Sequence, residues 1–115
     1  MREAPSHTAF FGDAQRTFRL TPELIVELER VSDAGIGSLC KRLFAGQFHH
    51  RDVLETIRLA LIGGGETPQI AASLIAAYGV NRPLIETYPL AVSILEVAWF
   101  GHVQTADPDA KEDAA

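Results

Sequence analysis

Hydrophobic and polar positions follow two different periods along this chain, and the change of period falls near residue 20. Over Ala14–Leu20, Arg16, Phe18 and Leu20 alternate with Thr17 and Arg19, the two-residue period of a half-buried strand. The run Thr8-Ala-Phe-Phe11 precedes it across Gly12-Asp13, an acceptable two-residue turn. A β-hairpin is therefore expected, and because an isolated hairpin is marginal in water it must pack on helices. From Thr21 the period becomes helical. Leu24, Ile25, Leu28 and Val31 form a stripe, with Glu23, Glu27, Glu29 and Arg30 toward water. Ile36, Leu39, Cys40, Leu43 and Phe44 form a second stripe, and Val53, Leu54, Ile57, Ala60 and Leu61 a third.

Turn and cap residues divide these stripes. Thr21-Pro22 and Thr67-Pro68 each combine a hydroxyl N-cap with proline at the first helical position, where the missing N–H costs nothing. Ser32-Asp-Ala-Gly-Ile-Gly37 breaks the first helix and Gly46 closes the second. Gly63, Gly64 and Gly65 are expected to close the third through left-handed conformations and to form a structural hinge before the fourth. A Gly79-Val80 stop and an Asn81 cap candidate precede a fifth helix from about Arg82 to Phe100, which Pro89 should kink or split after Tyr88. The expected fold is mainly α: an N-terminal β-hairpin followed by about five short helices in a compact orthogonal bundle. Residues 8–103 would form a single helical domain, with flexible tails at 1–7 and 104–115.

Composition narrows the classes. An apolar share of 47% over 115 residues fits one globular core and excludes wholesale disorder. The net charge is −5, of which Asp107, Asp109, Glu112 and Asp113 against Lys111 give −3, so the folded part is near neutral. That balance argues against a phosphate-binding surface. One cysteine, Cys40, rules out an internal disulfide and suits a reducing compartment. No signal peptide or membrane span is expected, because Pro83 to Phe100, the longest apolar stretch, contains Glu86, Pro89 and Glu96. The expected location is cytoplasmic.

Candidate chemistry is sparse. The triple glycine lacks the Lys-Ser/Thr of a phosphate loop and is followed by Glu66, a repelling carboxylate. A helix–turn–helix reading makes residues 68–79 the recognition helix, yet no Lys or Arg occurs between Arg58 and Arg82 to reach bases. Adjacent His49 and His50 point about 100° apart on a helix and share a metal poorly. His7 and His102 fall in end segments, and no Cys/His spacing supports zinc. Cys40 reads as a buried inert thiol, and Glu96 as a carboxylate at the wet edge of the last helix or a functional one. Glu27–Arg30 and Glu55–Arg58 are i, i+3 pairs of a solvated face. No catalytic set, cofactor site or metal site emerges.

An apolar surplus does emerge. The fourth helix is apolar nearly all round, and the fifth adds Leu84, Ile85, Tyr88, Leu90, Val92, Ile94, Leu95, Val97, Trp99 and Phe100. Either the two helices bury each other completely or part of this surface meets a partner. The residues expected in such an interface are Ile85, Tyr88, Val92, Leu95, Trp99 and Phe100.

Phe10-Phe-Gly-Asp13, Thr17-Phe-Arg-Leu-Thr21, Leu43-Phe-Ala-Gly46 and above all Asp52-Val-Leu-Glu-Thr-Ile-Arg-Leu-Ala-Leu-Ile-Gly-Gly-Gly65 resemble the gene transfer agent tail family, as does the Pro83-Leu84 pair. These small proteins of phage-like tail clusters are labelled tail tube proteins or tail assembly chaperones. The likeness covers roughly residues 8 to 103, and the Glu-Thr-Ile-Arg-Leu-x-Leu-Ile-Gly-Gly-Gly run is its most specific part. His49-His50 departs from the family's usual tryptophan, or apolar plus acidic, approach to the third helix, and Pro89 interrupts the last. The resemblance implies a non-enzymatic helical protein of tail morphogenesis, a chaperone binding the tape-measure or tail tube protein, with self-association left open. The charge balance and the absence of a long uncharged apolar run add the expectation of no nucleic acid and no membrane as partners. A DNA-binding regulator and a structural tail component are the competing expectations.

Overall fold

Gly12 and Asp13 turn the chain between two antiparallel strands, β1 (Ser6–Phe11) and β2 (Ala14–Arg19), in register Phe11↔Ala14 through Ser6↔Arg19. Gly12 at φ 73 supplies the positive φ that the first central position of this two-residue turn requires. Five helices follow: α1 (Pro22–Ser32), α2 (Ile36–Phe44), α3 (His50–Gly63), α4 (Pro68–Tyr78) and α5 (Leu84–Phe100). The mainly helical fold with an N-terminal hairpin is as expected. This computed structural model describes residues 4–101, so residues 1–3 and 104–115 of the expected tails, and His102, lie outside the described residues. Ser6 and His7, expected in the N-terminal tail, belong to β1 and pair with Arg19 and Phe18.

Both Thr-Pro starts behave as capping chemistry dictates. The Thr21 hydroxyl accepts from the Leu24 N–H at 3.3 Å, and the Thr67 hydroxyl from the Ile70 N–H at 3.1 Å. At the break after α1 the left-handed residue is Asp33, at φ 56, rather than a glycine. Glu29, expected to face water, bends round this break, and its carboxylate accepts from the Ile36 N–H at 2.8 Å to cap α2. Pro83, not Asn81, occupies the N-cap of α5, which begins at Leu84 rather than Arg82. Pro89 does not split α5, which runs unbroken to Phe100. The carbonyl that Pro89 leaves without an N–H partner belongs to exposed Ile85 one turn earlier, where water can reach it.

The core lies around α3. Val53, Ile57, Ala60 and Leu61 are wholly buried, meeting Phe18 of β2, Leu28 of α1, Leu39 and Leu43 of α2, Ala71 of α4 and Leu95 of α5 in one apolar cluster. The helix therefore serves as a common floor: β2, α1, α4 and α5 all pack on it. This arrangement resolves the question of mutual burial, because α4 and α5 lean on α3 and not principally on each other.

Candidate interaction site

The glycine triplet shows how the sequence positions its surroundings. Gly63 is the last residue of α3, Gly64 remains right-handed at φ −83, and only Gly65, at φ 122, has a positive φ. Left-handed closure is therefore not what the first two provide. A Cβ on Gly63 would collide with the Arg19 carbonyl oxygen, and one on Gly64 with that of Thr17. The hairpin register explains this: Thr17 and Arg19 occupy non-hydrogen-bonded pairs, so their carbonyls point out of the hairpin toward α3. Two side-chain contacts fasten the junction, Arg16 to the Glu66 carboxylate at 3.0 Å and Arg19 to the Gly63 carbonyl at 3.3 Å. The expected hinge is a fastened contact between α3 and β2.

Of the six residues expected to meet a partner, the structure unites two. Trp99 and Phe100, at 56% and 64% exposure, stand at the C-terminal end of α5. Ile85, at 79%, is exposed near the other end with Leu84, about 20 Å away along the helix. Tyr88 stacks on Phe48 with ring centroids 4.6 Å apart and donates its hydroxyl to the Leu43 carbonyl at 2.6 Å. That places Tyr88 as a tie between α5 and α2. Val92 is half-buried, and Leu95 is wholly buried in the core, out of reach of any partner.

What joins Trp99 and Phe100 is a surface of α2 that includes Ile36, Cys40 and Phe44 of its apolar stripe. Two adjoining grooves, each of about 330 Å³, run along the Trp99 indole. Ile25, Ile36 and Ala98 line the first; Gly37, Lys41, Phe44 and Phe100 line the second; Cys40 and Trp99 belong to both. Phe44, the last residue of the α2 stripe, is 40% exposed at the rim. The indole lies over Gly37, where a Cβ would meet Trp99 Cη2 at an ordinary contact distance of 4.0 Å. Burial pushes the Cys40 thiol up to about 11, which keeps it protonated and un-nucleophilic near neutrality. Among the described residues on these walls, Lys41 is the one that is charged. The grooves can bury apolar side chains; they hold no array of groups for chemistry.

The remaining candidates sit elsewhere. Glu96 is exposed and faces His7 across a cleft between α5 and β1. Burial lowers the His7 imidazole from its ordinary value, and the nearby Glu96 charge opposes that shift. His49 and His50 are exposed at the start of α3, and no three His, Cys, Asp or Glu among the described residues cluster to hold a metal ion. The exposed face of α4 presents Gln69, Ile70, Ala72, Ser73, Ala76 and Ala77, without a cation. No helix among the described residues is long and apolar enough to cross a membrane. Asp52, which sequence reasoning passed over, is 1% exposed; one carboxylate oxygen accepts from the His49 N–H at 2.9 Å and from Arg42 at 3.0 Å. The signal was an acid three residues after an N-cap position.

Fold and grooves together define a small α-rich protein with a β-hairpin, whose accessible concave surface near Trp99 is apolar. The model of the phage tail tube protein GTA-gp10 family matches residues 4–101, and the chain belongs to that family. It is a gene-transfer-agent tail-related protein. Searches of curated proteins and of solved structures found no significant match.

Proposed function

We propose that this protein is a non-catalytic tail assembly chaperone, which holds apolar segments of the tape-measure or tail tube protein in the grooves beside Trp99. The observation that carries this reading is the exposed Trp99–Phe100–Phe44 rim over a Cys40 floor. An aromatic cluster of this kind, left in water, marks a partner site. Its chemistry is reversible burial, by which a tape-measure segment is kept soluble while tube subunits polymerise around it.

The helical content supports a chaperone over a tube subunit. Helices make up 63% of the described residues and the strands form one six-residue hairpin pair, so among the described residues the fold lacks the broad sheets through which tube rings close. The family's description as a tail tube protein favours the second reading, a structural component of the tail. The two differ in where the protein ends up. A chaperone acts in the cytoplasm of the producing cell and is absent from finished particles; a component is present there in stoichiometric amount. Quantitative mass spectrometry of purified particles decides between them, and stoichiometric presence would sink the chaperone. The groove is tested separately, by co-expression with tape-measure and tube proteins. Trp99→Ala should weaken capture by about 2 kcal/mol, about thirtyfold, while leaving thermal stability nearly unchanged. Undiminished capture would remove the groove from the proposal.

A further inference from the structure

The grooves beside Trp99 leave the outer edge of β1 unused. Counting from the tight turn, Phe11↔Ala14, Ala9↔Arg16 and His7↔Phe18 are the hydrogen-bonded pairs, while Phe10, Thr8 and Ser6 sit at the alternate positions. On β2 the alternate carbonyls meet the α3 glycines. On β1 the corresponding peptide groups point away from the hairpin, and among the described residues no hydrogen bond reaches those of Thr8 or Phe10. Ser6–Phe11 also lacks the features that normally blunt an exposed edge: it carries no charge, no proline and no bulge.

This edge borders a slot. Ser6, His7 and Thr8 form one wall of a cleft of about 470 Å³. Ser93, Glu96, Val97 and Phe100, one face of α5 at i, i+3, i+4 and i+7, line the other side. A separate cleft, of about 370 Å³, lies at the Phe10 end of the same strand, lined also by Tyr78 and Arg82. We propose that the slot takes an extended segment of a partner protein, which adds a strand to β1 and sets a basic side chain against Glu96. Charge selects this occupant. Glu96 makes no ion pair among the described residues, whereas Arg82 at the far end is already paired with Glu86 at 3.0 Å. The protein's own acidic C-terminal segment, with Asp107, Asp109, Glu112 and Asp113, would be repelled by Glu96. The β1 strand of a second copy has no Lys or Arg to offer it.

The test uses the full chain and blocked hexapeptides of alternating valine and threonine with one central lysine, one central glutamate, or methylated alternate amides. The lysine peptide should shift NMR signals over Ser6–Phe11 and residues 93–97 and protect the Thr8 and Phe10 amides from exchange. Glu96→Lys should weaken the lysine peptide by about fivefold and favour the glutamate peptide. Thr8→Pro removes an outward N–H and no bond of the hairpin, so it should cost about tenfold. Should that variant misfold, the methylated peptide tests the same bonds from the ligand side, and its equal binding would overturn the proposal. Two further results would overturn it: about tenfold tighter binding on deletion of residues 102–115, which makes the chain's own end the occupant, or a dimer that the peptide dissociates.

Discussion

Cys40 shows how one residue's place in the core sets its chemistry. It is 3% exposed on the floor of the grooves, and burial raises its thiol from 9.0 to about 11. The folded state thus holds this proton more tightly than the unfolded chain. The resulting stabilisation is fully present below about pH 9 and is lost as pH rises through about 11. A shift of this size corresponds to a loss on the order of 2 kcal/mol. Urea denaturation at pH 8 and near pH 11 should show that loss for the native chain, and a smaller one for Cys40→Ala. Parallel losses in the two proteins would mean that the thiol is not the group responsible. The same burial predicts slow reaction with thiol reagents at pH 8, so the cysteine below Trp99 is packing material.

At the scale of elements, the junction between α3 and β2 depends on the absence of two side chains. Gly64 lies against the Thr17 carbonyl, and the colliding atoms on β2 are backbone, which cannot rotate away. Gly64→Ala should therefore destabilise the fold by about 3 kcal/mol in thermal denaturation, whereas Gly65→Ala, with open space around its Cβ position, suffers only the strain of its positive φ. Equal losses would show that conformation, not contact, is what these glycines supply. This pair also marks how far the sequence could be read. Helix starts at Thr21-Pro22 and Thr67-Pro68 were legible because capping is local. The glycine contact with β2, the Asp52–Arg42 ion pair and the Tyr88–Leu43 hydrogen bond join residues 10 to 47 positions apart, and no periodicity reports such pairings. The same limit explains the split of the candidate site. An all-apolar helix does not tell which side meets the core, so Leu95 and Trp99, one turn apart, had looked equivalent.

For the molecule as a whole, the use of α3 as a common floor makes stability uneven. Five elements pack on α3, whereas α4 packs chiefly on α3 alone, with Tyr78 added edge-on against Phe11 at 6.2 Å. Local opening is governed by how much apolar contact an element must give up, so α4 should open before the rest. Native-state hydrogen exchange should find the amides of Val53–Leu61 slowest, close to global unfolding, and those of residues 71–78 exchanging through a separate, lower-energy opening. Equal protection of the two helices would refute the ranking. The grooves lie on α1, α2 and the end of α5, all away from α4, so a ligand seated beside Trp99 should slow exchange in α2 and α5 and leave α4 unaltered. A ligand in the β1 slot has a different reach. A segment paired along all of β1 also reaches the cleft at Phe10, which borders Tyr78, a residue 2.6 Å from the position a Cβ on Gly12 would take, so occupation there should slow the last turn of α4 as well. Exchange profiles with each ligand thus distinguish the two surfaces without a mutation, and protection confined to α4 would fit neither.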